Sequence, residues 1–424
     1  MKIVGLVTEY NPFHNGHQYH MEKSKEITGA DAVIAVMSGN FVQRGTPAIM
    51  PKHLRAEAAL QTGVDVVIEL PVCYAVGSAE YFAMGAISLF DKLNCIDSIC
   101  FGSECGDIKK MEQLARLFVD EPVQYKEYLS DYLRNGFSFP RARQAAAKKY
   151  LGDTELSTVL EHPNNILGIE YLKALLTLKS SIQAHTIKRK ESDHHNTELS
   201  ERYSSASAIR NLISAKGAKS NSLQLEPIPP DLLTLLSGQI PEQSIPFLED
   251  NYRTRYPVYT NDFSIILRYK LLSETRSSIT QYMDISEDLG NRIINRMNDF
   301  ISFEQFCDLL KTREITYARI SRALIHVLLD IKKEHLSTYQ AHGYHQYARM
   351  LGFREAASNV LTLIKKYSSI PLITKPTVER LLNPVGKQIL SNDLYAAHIY
   401  ESAITNKYRA PFSSEYEHAV IRVL

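Results

Sequence analysis

The chain of 424 residues has no tryptophan, only five cysteines, a formal net charge of +1 and no apolar run of membrane-spanning length. Each shortage closes off a class. A membrane helix needs about 18 or more consecutive apolar residues, and none occurs, so no membrane association is expected. The first apolar run, Ile3 to Val7, is too short for a signal peptide. Cys73, Cys95, Cys100, Cys105 and Cys307 are odd in number and form no CxxC pair, which reads as reduced thiols in a cytoplasm. The spacing of Cys95, Cys100 and Cys105 fits no zinc signature, and no metal site is assigned. Lys and Arg total 48 against 47 Asp and Glu, so a nucleic acid would have to be held by a local patch. With 44% apolar and 22% charged residues the composition is that of a folded chain. Its length suggests about two or three domains.

What is present is an alternation. KIVGLVT (2–8), DAVIAVMSG (31–39), VDVVIELP (64–71) and SICFGSE (98–104) read as buried strands, with helical stretches between them. Strands that are apolar throughout and separated by helices predict a parallel sheet covered on both faces. IQAHTIK (182–188) reads as one more strand. Residues 216–260, with PIPP at 227–230, read as a linker. From about Asn261 the pattern is helical, clearest over 315–331, where Ile320, Ala323, Leu324, Val327 and Leu328 share one side. The expected fold is therefore α/β: a Rossmann-like parallel-sheet catalytic domain (1–215), a linker (216–260) and an α-helical domain (261–424).

The strongest chemical signal follows the first strand. After Gly5-Leu-Val-Thr-Glu-Tyr-Asn-Pro-Phe, the sequence His14-Asn-Gly16-His17 opens a helix. Gly16 allows close approach of the backbone to a phosphate. A helix N-terminus offers amide donors and positive potential to an anion. Two imidazoles three residues apart can donate to an α-phosphate as charge develops there, and losing one such donor typically costs about 10²–10³ in rate. Two other readings stay open: a chance H-x-x-H, or a metal site with His20 as third ligand.

The H-x-G-H loop resembles the signature of the nucleotidylyltransferase superfamily, whose second signature is Ser-x-Thr-x-Ile-Arg. Here Ser205-Ala-Ser207-Ala-Ile209-Arg210 stands in that place, with Ser207 for the usual Thr. By itself this segment could equally be an N-capped surface helix. The likeness extends further. VTEYNPFHNGHQYH, MSGNFVQRGTPA, VIELP, CFGSE, HPNNILGIEYLKAL and YARMLGF (347–353) resemble the bacterial tRNA(Met) cytidine acetate ligase family, over nearly the whole chain.

That resemblance implies an activity. ATP and acetate give acetyl-adenylate and pyrophosphate; the acetyl group then passes to N4 of the wobble cytidine of elongator tRNA(Met), giving N4-acetylcytidine. It implies His14 and His17 as the catalytic pair. It also implies ATP contacts along Val7, Thr8, Glu9, Tyr10, Asn11, Pro12, Phe13, His14, Asn15, Gly16, His17, Gln18, Tyr19 and His20, and at Gly102, Asn165 and Arg189. Ser205, Ser207 and Arg210 would face the β- and γ-phosphates. Magnesium is expected with the triphosphate, without an identified ligand. Residues 37–44 could receive the acetate or merely cover the site. For tRNA the candidates are Arg319 and Arg322, with His326, on one helix, Arg292 and Arg296 on another, and Lys365 with Lys366; a solvated charge stripe is the plain alternative for each. No obligate protein partner is inferred. Competing activities are a nucleotidylyltransferase acting on a small phosphorylated cosubstrate, acetylation of a protein thiol as in citrate-lyase ligases, and a non-enzymatic RNA-binding factor.

Overall fold

A computed structural model of the chain describes residues 1–152, 154–189, 204–217, 227–312 and 314–424. Eight strands form the main sheet: β1 (Ile3–Thr8), β2 (Ala32–Ser38), β3 (Val66–Leu70), β4 (Ser98–Ser103), β5 (Gln183–Lys188), β6 (Ala348–Arg354), β7 (Leu372–Ile373) and β8 (Ile421–Val423). Their order is β8-β6-β3-β2-β1-β4-β5, with β7 on β6. β1 to β5 run parallel, as the apolar runs predict. The chain first winds from β1 to β3 in one direction, then resumes at β4 on the other side of β1. This reversal opens a crevice at the carboxyl ends of β1 and β4, where open α/β sheets bind ligands.

Two layers of helices cover the sheet. α1 (Asn15–Thr28) and α2 (Lys52–Gln61) pack on the face formed by Val4, Leu6, Val33, Ala35 and Val67. α3 (Ala79–Leu93), α4 (Ile108–Asp120) and α5 (Pro163–Leu178) pack on the opposite face, against Ile3, Ile34, Val36 and Ile68. Gly5 of β1 is required by this contact, because a Cβ there would lie 2.8 Å from the Phe90 ring of α3.

Two segments differ from the sequence reading. Residues 227–260 hold helices α7 (Pro230–Ser237) and α8 (Ile245–Asn251), after α6 (Ala206–Gly217). Ile228, Leu232, Leu236, Leu248, Tyr252 and Tyr256 form a core with Ile209, Ile213, Ile49 and Met50. Pro230 and Pro246 sit in the first turns of α7 and α8, where a missing N–H costs nothing, and Pro229 is the N-cap residue of α7. The C-terminal half, mainly helical, also supplies β6, β7 and β8; β6 lies antiparallel on β3. YARMLGF is a short apolar run, and length separates such a strand from a helix more surely than periodicity does. The remaining helices used below are α9 (Ser264–Leu272), α10 (Glu287–Asn295), α11 (Tyr317–Leu328) and α12 (Pro384–Tyr408).

A buried ionic cluster joins the two halves. Lys52 Nζ lies 2.7 Å from Glu69 and 2.9 Å from Glu415, and Arg349 lies 3.3 Å from Glu69 and 2.5 Å from Glu415. Burial alone would raise the Glu415 carboxyl, but Lys52, His53 and Arg349 outweigh it and hold it well below the usual range. His53, Glu415 and His418 also bring their donor atoms within 4.8 Å of one another. Glu415 Oε1 is already shared by Lys52, Arg349 and the His53 ring, so its charge is spent on two cations of the protein. Among the described residues no helix is long and apolar enough to cross a membrane. Glu415→Ala leaves two buried cations short of a partner and is expected to cost about 3–5 kcal/mol. The midpoint of urea unfolding measures this, and an unchanged midpoint would show that the cluster contributes nothing.

Candidate active site

After Thr8 the chain turns sharply. Tyr10 adopts φ 48°, a left-handed conformation that is unfavourable for a bulky side chain. Three groups hold the turn. Arg55, 1% exposed, donates to the carbonyls of Glu9 and Gly39, to Ser38 at 3.2 Å and to Met50 at 3.0 Å. Asn11 Oδ1 accepts from the Ile49 amide at 2.8 Å. Glu9 Oε1 accepts from the Gln43 amide at 2.9 Å.

His14 is the N-cap of α1. Its Nδ1 accepts from the Gly16 amide at 3.0 Å, while His17 Nδ1 accepts from the His14 amide at 3.3 Å. The pair forms a reciprocal capping box built from two imidazoles. A backbone N–H only donates, so both Nδ1 atoms carry lone pairs and the proton of each neutral ring sits on Nε2. The rings stack with centroids 3.7 Å apart. Burial, with Arg189 and Arg210 adding to it, pushes His14 down to about 3. Burial, then His14, His20 and Arg189, holds His17 well below its ordinary value. Two neutral Nε2–H donors therefore stand at the mouth of the crevice.

Two expectations change here. Gly16 serves His14 directly: a Cβ on Gly16 would lie 2.8 Å from His14 Cε1. The first-turn amides of α1 are not free. Asn15 N donates to the Gln239 carbonyl at 2.9 Å, Gly16 N to His14 Nδ1, and His17 N and Gln18 N to the His14 carbonyl at 2.8 and 3.2 Å. His14 and Gln239 satisfy them, and the ring protons and nearby guanidinium groups remain as donors to an anion.

The second signature meets the first. Arg210 donates to the Asn11 carbonyl at 2.7 Å and to Ser207 Oγ at 3.0 Å. Ser205 Oγ accepts from the Ala208 amide at 3.1 Å and so caps the start of α6. On the other side of the crevice Arg189 arches over Gly102, its Cγ 3.3 Å from where a Cβ would stand. Asn165, 1% exposed, accepts from the Glu104 and Cys105 amides at 2.9 and 3.1 Å and donates to Val159 at 3.0 Å. Its side chain fixes the turn that follows Gly102.

The family model for HIGH nucleotidyl transferases matches residues 1–415. The tRNA(Met) cytidine acetate ligase of Acetivibrio thermocellus is 40% identical over 409 residues, covering 96% of each chain. That of Clostridium acetobutylicum is 39% identical over 430 residues, covering 99% of this chain and all of its own. The chain belongs to the tRNA(Met) cytidine acetate ligase family. The crystal structure of Thermotoga maritima TmcAL bound with alpha-thio ATP superposes with a TM-score of 0.89 at 31% identity, and its apo form with 0.91 at 32%, both over the whole of each chain.

The arginines singled out for this family's RNA are placed differently from one another. Arg319 and Arg292 are half-buried at the surface. Arg296 is exposed and lies 3.2 Å from Asp299. Arg322 is only 13% exposed and paired with Asp284 at 2.8 Å. His326 is buried, its two ring nitrogens each 3.0 Å from a carbonyl, of Met283 and of Val76, so it belongs to the core. Two residues escape sequence reasoning. Arg55 lies on the face of α2 that Ala56, Ala59 and Leu60 bury, and a charge on that face is the signal that marks it. Gln239 bonds both signature segments, through Asn15 N and Ser204 N, and nothing in its local sequence points to it.

Between pH 6.5 and about 3 the unfolded chain binds a proton at His14 that the folded chain refuses. Stability from this group is therefore complete above pH 6.5 and falls as the pH drops, by up to about 1.4 kcal/mol per unit. Thermal melts from pH 7 to 5 should show a shallower loss in His14→Asn than in the parent. Equal slopes would mean that the ring is protonated in the fold.

Proposed function

We propose that this protein is an ATP-dependent acetate ligase that makes N4-acetylcytidine at the wobble position of elongator tRNA(Met). The observation that carries the reading is the pair of neutral, stacked imidazoles with Nε2–H donors at the sheet's switch point, in a chain of this family. In the first step an acetate oxygen attacks the α-phosphorus, the bond to the bridging oxygen breaks and pyrophosphate leaves. His14 and His17 donate to the α-phosphate as its charge grows, and burial makes such donors worth more than in water. Arg210 exchanges the Asn11 carbonyl for the β/γ-phosphates, together with Ser207, while Arg189 closes over the nucleotide beside Gly102. Magnesium enters as part of the ATP substrate, and we assign it no protein ligand.

In the second step N4 of the cytidine attacks the carbonyl carbon of the mixed anhydride and AMP departs. We propose that the first 215 residues carry the nucleotide chemistry and that the helical half receives the tRNA through Arg292, Arg296 and Arg319. Arg322 reaches phosphate only by giving up Asp284. A cytoplasmic location, with its supply of ATP and tRNA, fits these substrates.

The test is ATP–pyrophosphate exchange. It should require acetate, proceed without RNA and fall by at least about 10²-fold in His14→Ala and in His17→Ala. Exchange that ignores acetate and requires a phosphorylated cosubstrate would favour a plain nucleotidylyltransferase. Mass analysis of tRNA nucleosides after incubation with ATP and labelled acetate should then show label in N4-acetylcytidine.

A further inference from the structure

The helical half exposes one apolar stripe. On α9, Ile265 and Tyr269 are each 76% exposed and Leu272 is 68% exposed, while Leu267 and Leu271 are buried on the other side. Ile301, 79% exposed, stands two residues before Phe303, whose amide donates to Ser264 Oγ at the start of α9 at 3.0 Å. Clustered exposed side chains of this size mark interaction surfaces.

The surrounding charge selects the partner. Arg268 is exposed next to Tyr269, whereas Lys270 is half-buried with its ammonium over the Tyr395 ring, 5.7 Å from the centroid; no acid lies between Asp262 and Glu274 in the sequence. Both of those acids are engaged: Asp262 with Lys407 at 2.7 Å, and Glu274 with Ser278 Oγ at 2.5 Å and Tyr282 OH at 2.8 Å. Glu304 is held by Asn261 at 2.8 Å and Asp299 by Arg296 at 3.2 Å. The cations continue away from α9. Arg276 donates to Asn295 at 3.0 Å, which ties it to α10 and to Arg292 and Arg296. An exposed aromatic ring next to an exposed guanidinium suits RNA, where rings stack on bases and cations meet phosphates.

We propose that α9 is an RNA-docking face: Tyr269 packs on an exposed base or ribose of the tRNA, Arg268 meets a neighbouring phosphate, and Arg276 and Arg292 continue the track. This rests on the tRNA reading above and gives it a surface. The inner side of α9 packs on α11, and Ser321 of α11 donates to the Gly45 carbonyl at 2.6 Å in the loop that follows β2. The docking face and the nucleotide loop thus belong to one packed block.

The experiment compares Tyr269→Ala, Tyr269→Phe and Arg268→Glu with the parent protein in tRNA affinity, tRNA acetylation and acetate-dependent exchange. Tyr269→Ala should weaken tRNA binding about tenfold, whereas Tyr269→Phe should bind as the parent does. Arg268→Glu should weaken binding and lower the slope of log affinity against log salt by about one. Exchange without tRNA should be unchanged in all three. Parent-like tRNA affinity in both Tyr269→Ala and Arg268→Glu overturns the proposal. So does a parent dimer in sedimentation that Tyr269→Ala dissociates without loss of tRNA affinity. If the parent itself fails to acetylate tRNA, the functional reading fails, and that result is separate from any difference among the variants.

Discussion

A single buried guanidinium organises this molecule. Arg55 reaches from α2 to the backbone where β1 and β2 end, and its donors are spent on carbonyl oxygens and on no carboxylate. Burial pushes its pKa down to about 10, so it stays charged at neutral pH. Charged donors to carbonyls make stronger bonds than neutral ones. The turn at Tyr10 is intrinsically unfavourable, and such conformations persist where surrounding bonds over-determine them. Arg55, Asn11 and Glu9 supply that over-determination, and the histidine pair follows directly from the turn's course.

The histidines show how one set of atoms serves folding and chemistry together. Nδ1 of each ring closes the start of α1, which fixes the tautomer and leaves Nε2–H outward-bound. No separate carboxylate is needed to orient them. A neutral donor suits a site that must release pyrophosphate, because it stabilises charge only where hydrogen-bond geometry is met.

Much of this was legible in the sequence. The strands β1 to β5 are read from apolar runs, and the helix after H-x-G-H from its Gly29 stop, which adopts φ 62°. The signature loop marks the crevice because strand, turn and helix follow at once. What escaped has a common cause: long-range contact. Gln239 enters the site from a stretch whose prolines resemble a linker. Strand β6 gains its partner from residues nearly 300 positions earlier in the chain, and no local pattern announces such pairing. Arg322 looks like a surface cation on a helical wheel, and only the fold brings Asp284 beside it.

The antiparallel strand β6 has a consequence for biogenesis. Until it emerges from the ribosome, β3 presents an unpaired sheet edge, and Glu69 and Lys52 wait for Arg349 and Glu415. The nucleotide crevice is thus framed early in translation but braced late, and a nascent chain stalled before this point would be a target for chaperones.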